Sequence, residues 1–157
     1  MIPVRELINE RLIELSLDSD SKEEVIKNLA DLICQDGRID DCEGYIREVL
    51  NREKLSSTGI GFGIAIPHGK CQTVNTPTVA FGRLNRPIDW KSLDDQPVQV
   101  VFLLAVPEAS ATNEHLKILA ALSRKLMDDD FRMELLSAAD KEILVDLLES
   151  IFANAIA

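Results

Sequence analysis

Apolar residues Val25, Ile26, Leu29, Leu32 and Ile33 recur at helical spacing. Just ahead of them, Ser21-Lys22-Glu23-Glu24 fits a capping box, with the serine hydroxyl accepting the N3 amide and Glu24 reaching back. Gly37 supplies a left-handed stop. A second helix is predicted from Asp40 or Asp41, with Cys42, Tyr45, Ile46, Val49 and Leu50 as its stripe, ending within 52–55. The period then changes to two. Ile60, Phe62, Ile64 and Ile66 alternate with Gly61, Gly63 and Ala65, which predicts one strand with a bulky and a bare face. Pro67 ends it, having no amide for the ladder. Further strands are predicted over 78–84 and 98–106. The second is almost wholly apolar and so should be central, covered on both faces.

Helical spacing returns after residue 110. Thr112 or Asn113 caps a helix whose inner side carries Leu116, Leu119, Ala120, Leu122, Ser123 and Leu126. A short helix over 131–136 follows, then one over 140–152 with Ile143, Leu144, Leu147, Leu148 and Ile151 inward. Helices flanking a strand-rich middle predict a single α/β domain, with the sheet covered by helices.

Composition narrows the function classes. The chain has 157 residues, 46% hydrophobic and 28% charged, which is globular rather than disordered. Its formal net charge of -10 disfavours nucleic acid and anionic membrane surfaces as partners. The longest apolar run, 100–106, is far short of the roughly 20 residues of a membrane span. The first ten residues lack the basic flank and apolar core of a signal peptide, so the expected location is cytoplasmic. Cys34, Cys42 and Cys71 form no C-x-x-C pair and are odd in number. They are expected to be free thiols in a reducing compartment, with neither a disulfide framework nor a zinc site.

Candidate chemistry centres on the two histidines, since an imidazole is the side chain that titrates nearest neutrality. His68 lies in Ile64-Ala65-Ile66-Pro67-His68-Gly69-Lys70. The proline stop places the ring at a strand tip, Gly69 permits close approach of a ligand, and the following amides could form an anion nest. A plain loop histidine fits the same residues. His115 falls in the first turn of its helix, where the dipole favours a neutral ring beside an anion; a surface histidine after a cap is the alternative. Arg52 closes the second helix, either as a phosphate fork or as a cation meeting the helix dipole.

Several motifs fail. Gly59-x-Gly61-x-Gly63 is not the dinucleotide fingerprint, and Gly69-Lys70 lacks both the upstream glycine and the Ser or Thr of a phosphate-binding loop. Asp94-Asp95 and Asp128-Asp129-Asp130 read as solvated turns and caps.

The segment Ser57-Thr58-Gly59-Ile60-Gly61-Phe62-Gly63-Ile64-Ala65-Ile66-Pro67-His68-Gly69-Lys70 resembles the active-site stretch of enzyme IIA of the bacterial phosphoenolpyruvate:sugar phosphotransferase system, mannitol/fructose type. The likeness extends through Arg83-Leu84-Asn85-Arg86-Pro87-Ile88-Asp89-Trp90, then residues 101–107, then Glu114-His115-Leu116-Lys117, and covers 3–150 as one domain. It implies a mixed β-sheet sandwiched between α-helices. It also implies a phosphotransferase in which His68 is phosphorylated on the nitrogen farther from the backbone, with His115, Arg52 and Gly69 holding the phosphoryl group. A phosphorylated HPr-like carrier would be the donor. Enzyme IIB or regulatory proteins would be the acceptors, with no cofactor or metal. The length and the wording of the segment look most like the nitrogen-regulatory branch; a fructose or mannitol uptake component is the alternative. Phe62 departs from the polar or acidic residue expected at its position, which alters the partner surface.

Overall fold

The computed structural model describes residues 7–108 and 114–156, without the side chains of residues 114, 115 and 154–156. One turn of 3-10 helix (Glu10–Leu12) leads into β1 (Ile13–Leu17), α1 (Lys22–Gln35) and α2 (Cys42–Leu55). Next come β2 (Gly59–Gly61), β3 (Ile64–Ala65), β4 (His68–Cys71), β5 (Thr78–Ile88) and β6 (Val98–Pro107). The chain closes with α3 (Glu114–Lys125), α4 (Asp129–Ser137) and α5 (Lys141–Ile156). Helix starts follow the caps: Ser21 accepts the amide of Glu24, Asp41 that of Gly44 and Asp128 that of Asp130. Gly37 takes φ +75° at the end of α1, in the left-handed region that suits a residue without Cβ.

The six strands form one mixed sheet in the order β1-β5-β6-β3-β2, with β4 also paired to β6. β6 is central, antiparallel to β5 and parallel to β3 and β4. Its side chains alternate between two cores. Val100, Phe102 and Leu104 meet the layer of α3, α4 and α5, while Val101, Leu103 and Ala105 meet that of α1 and α2. The sheet is therefore sandwiched between helices, as the resemblance implies. Among the described residues no helix is long and apolar enough to cross a membrane.

Four expectations are corrected. The strand expected over 60–66 is a hairpin: β2 and β3 pair antiparallel around Gly61, Phe62 and Gly63, all at positive φ. The glycines there serve a turn rather than a bare face. β1 carries no prediction, because it is a five-residue edge strand with only Ile13 and Leu17 fully buried. The inner stripe of α3 is Ile118 and Leu122, with Leu126 just beyond, and Leu116 is exposed; the expected caps Thr112 and Asn113 lie outside the described residues. In α5, Val145 and Phe152 are buried and Ile143 faces outward. Finally, Cys34 and Cys42 are joined by a disulfide and only Cys71 is free. A tight corner between two helices brings those Cα atoms to 6.1 Å, within bridging range, a proximity that spacing along the chain does not reveal.

Candidate functional site

His68 does not sit in a loop beyond the last strand residue but opens β4, on the far side of Pro67. Ile64 faces Val100 and His68 faces Leu104, so β3 and β4 run along β6 at the same offset of 36 positions. They are one strand line interrupted at Ile66 and Pro67. Pro67 has no N–H, although its carbonyl accepts the amide of Leu104 at 3.0 Å. At this break the Ile66 carbonyl lies 3.1 Å from His68 Nδ1. A carbonyl oxygen can only accept, so Nδ1 carries the proton in the neutral ring and Nε2 presents a bare lone pair. The ring is half-buried. Alternation along the line puts His68 on the face of Ile64, Ile66 and Leu104, toward the layer that contains α3.

Gly69 points the other way. A Cβ there would meet Val49 Cγ2 at 2.7 Å and Tyr45 Cε1 at 3.1 Å, so the close approach this glycine allows is that of α2, not of a ligand. Tyr45 is fully buried, and its hydroxyl donates to the carbonyl of Leu104 at 2.7 Å. Burial, with a smaller contribution from Cys71, pushes its pKa well above the usual phenol value, so it remains a neutral donor. Thus α2 is bonded to β6 at the residue that pairs with His68.

Arg52 lies on α2, three residues past Val49 and so about 4.5 Å farther along the axis. Its Nη1 donates to the carbonyl (2.9 Å) and hydroxyl (3.2 Å) of Ser56, the residue that ends the helix. His115 is the second residue of α3, but its side chain lies outside the described residues. The structure thus orients the His68 imidazole on β4 and engages Arg52 with Ser56 at the end of α2; no contact among the described residues joins Arg52 to His68.

Sequence reasoning missed the clamp that fixes the end of α2. Glu53, next to Arg52, pairs with Lys22 at 3.1 Å, accepts the Thr58 amide at 3.3 Å and bonds the Thr58 hydroxyl. The indole N–H of Trp90 donates to Thr58 Oγ1 at 3.3 Å, and Lys22 lies 5.3 Å above the Trp90 ring. The only signal in the sequence was a lone buried-type tryptophan. At the β2–β3 turn, Phe62 holds φ +61° and remains half-exposed. Asp94 accepts its amide at 3.1 Å, and the Arg132 guanidinium stacks 4.2 Å from its ring. Backbone hydrogen bonds from Gln96 and Phe62 lower the pKa of Asp94.

A mixed sheet between two helical layers, with an oriented imidazole on a strand beside the central one, defines a class of α/β sandwich domains. Comparison with known families places the chain more closely. The family described as phosphoenolpyruvate-dependent sugar phosphotransferase system, EIIA 2, matches residues 6–151, and the chain belongs to it. The fructose-specific EIIA component of Haloferax volcanii is 43% identical over 140 residues, covering 89% of this chain and 90% of the relative. A nitrogen regulatory protein of Bradyrhizobium diazoefficiens is 36% identical over 151 residues, 94% of this chain and 95% of that one. The fructose-specific EIIABC component of Bacillus subtilis is 41% identical, but the chain spans only 23% of its length. Among solved structures, the nitrogen regulatory protein IIA-Ntr from Neisseria meningitidis has a TM-score of 0.85 at 31% identity, covering 91% of this chain and 97% of that one.

Proposed function

We propose that this chain, acting through one domain over 3–150, relays a phosphoryl group on His68. The observation that carries this reading is the bond from Nδ1 to the Ile66 carbonyl, which leaves Nε2 as the nucleophile. Nε2 attacks the phosphorus of a phosphohistidine on an HPr-like carrier, and the carrier's P–N bond breaks as the new one forms. One imidazole replaces another, so the step is near thermoneutral, and catalysis reduces to positioning and charge stabilisation. Arg52 and His115 hold the equatorial oxygens, while the Gly69 amide belongs to the β4–β6 ladder. No cofactor takes part, and the reaction runs in the cytoplasm.

The nitrogen-regulatory role is the main reading, supported by the likeness to IIA-Ntr. The phosphohistidine then acts as a mark that changes which regulatory proteins bind. A fructose uptake component that donates to enzyme IIB is the second reading. It is favoured by the higher identity to the fructose-specific relative, 43% against 36%.

Incubation with a phosphorylated carrier tests the relay. Label is expected on Nε2 of His68 and absent in His68→Ala; a normally labelled variant rejects the site. Transfer onward to a fructose-type enzyme IIB separates the two roles. Rapid discharge supports uptake, whereas a persistent label that alters protein capture supports regulation.

A further inference from the structure

We propose that Cys34 and Cys42 form a reversible disulfide-exchange site. Its oxidation state sets how firmly α2 is seated on the strand that carries His68, and with it the rate at which His68 is loaded. The second half of this inference rests on the function proposed above.

The two sulfurs join the penultimate residue of α1 to the first residue of α2. Both cysteines are half-buried, so a small thiol can reach them. Cys42 directly follows the N-cap Asp41, so the bridge ties the first turn of α2 to the end of α1. In a reducing compartment, disulfides of this kind are typically transient or redox-sensing rather than structural.

Both redox states are expected to be folded, because the corner is tied down without the bridge. The amide of Gly37 donates to Cys34 O, that of Asp40 to Thr73 O at 2.9 Å and that of Asn75 to Arg38 O at 2.8 Å. Ile39 also forms a bridge with Val74.

The corner connects to His68 through packed neighbours. Tyr45 follows Cys42 by three residues, packs beneath Gly69 and holds the carbonyl of Leu104, the register partner of His68. Thr73 Oγ1 lies between the Cys71 thiol (3.2 Å) and the carbonyl of Asp41 (3.5 Å), so the end of β4 meets the start of α2. Reduction releases the first turn of α2 from α1 and loosens this contact. Oxidation joins the two Sγ atoms. Two electrons and two protons leave the thiols for a small disulfide, which becomes two thiols.

The full chain is equilibrated with reduced or oxidised dithiothreitol, alkylated and mapped by mass spectrometry, with hydrogen exchange and carrier-dependent labelling measured on each form. Alkylation of Cys71 alone is expected in the oxidised form and of all three cysteines in the reduced form, reversibly. Amides of Tyr45, Val49, Gly69 and Cys71 should exchange about three-fold or more faster when reduced, and His68 should be loaded more slowly by a similar factor. Cys34→Ser should behave as reduced wild type under both conditions. Equal exchange in the two forms, equal loading rates, or re-formation of the bridge through Cys71 overturns the proposal. Label on no histidine in either form, with exchange still different, rejects the phosphoryl reading and retains the redox control of α2.

Discussion

The imidazole of His68 is directed by the atom behind it. With Nδ1–H donating to the Ile66 carbonyl, nitrogen NMR of the neutral chain should show a protonated Nδ1 and a bare Nε2. The opposite tautomer would remove the nucleophile from the proposed reaction. Its neighbour Gly69 makes a sharper steric prediction. Gly69→Ala drives a methyl group into Val49 and the Tyr45 ring, and since Tyr45 also holds the Leu104 carbonyl, it cannot withdraw freely. A loss of about 1–3 kcal/mol is expected in urea unfolding, with slower loading of His68. Unchanged stability would mean that α2 yields easily at this contact. The sequence reading expected Gly69 to admit a ligand, whereas the space above it is taken by Val49 and Tyr45. The pattern marked a stop at Pro67, but only the pairing with β6 shows that the strand resumes at once.

At the scale of elements, α2 is held at its far end by the Glu53 clamp. Glu53 is 5% and Lys22 16% exposed at the side chain, so neither charge is well served by water once its partner is removed. Glu53→Ala should cost about 3–5 kcal/mol and free the segment that leads into β2. Fluorescence of Trp90, whose indole N–H lies in the same network, reports the change. Arg83 plays a comparable part on the opposite layer, donating to carbonyls of Leu15, Leu135, Leu136 and Ala138 and so capping the end of α4 against β1. The helices and the central strand were legible because period and caps agree: Ser21 and Asp41 each start the helix their position foretold, while the helix expected from 131 starts two residues earlier, capped by Asp128. The β2–β3 hairpin was not legible. Glycine alternating with bulky residues suits a strand and a left-handed turn equally well, and an aromatic at φ +61° is not a turn signal. The clamp was hidden for another reason: Lys22, Glu53, Thr58 and Trp90 meet only after the chain has folded.

The whole molecule is knit together at the corner between α1 and α2. Asp36 accepts bonds from Arg38 (2.8 Å), Arg11 (2.5 Å) and Asn9 (3.4 Å), joining that corner to the segment before β1. Burial alone would raise its pKa, but the bonds from Arg11, Arg38 and Asn9 prevail and lower it to about 2. A carboxylate whose folded pKa is depressed stabilises the fold above its unfolded value. That contribution should therefore be complete above about pH 4 and lost as pH falls toward 2. Asp36→Asn should flatten the dependence of the melting temperature on pH in this window. The bridge between Cys34 and Cys42 closes a short loop at the same corner, and on a chain-entropy basis its reduction should cost about 2–3 kcal/mol. A urea midpoint that does not move with added thiol would contradict this.

The group that selects the bare nitrogen of His68 belongs to the peptide chain itself. Replacing the side chain at position 66 leaves the acceptor oxygen in place. The chemical identity of the exposed atom is thus insulated from most genetic change around it. In the relay proposed above, the surface around His68 can change with the partner while the reacting atom stays the same.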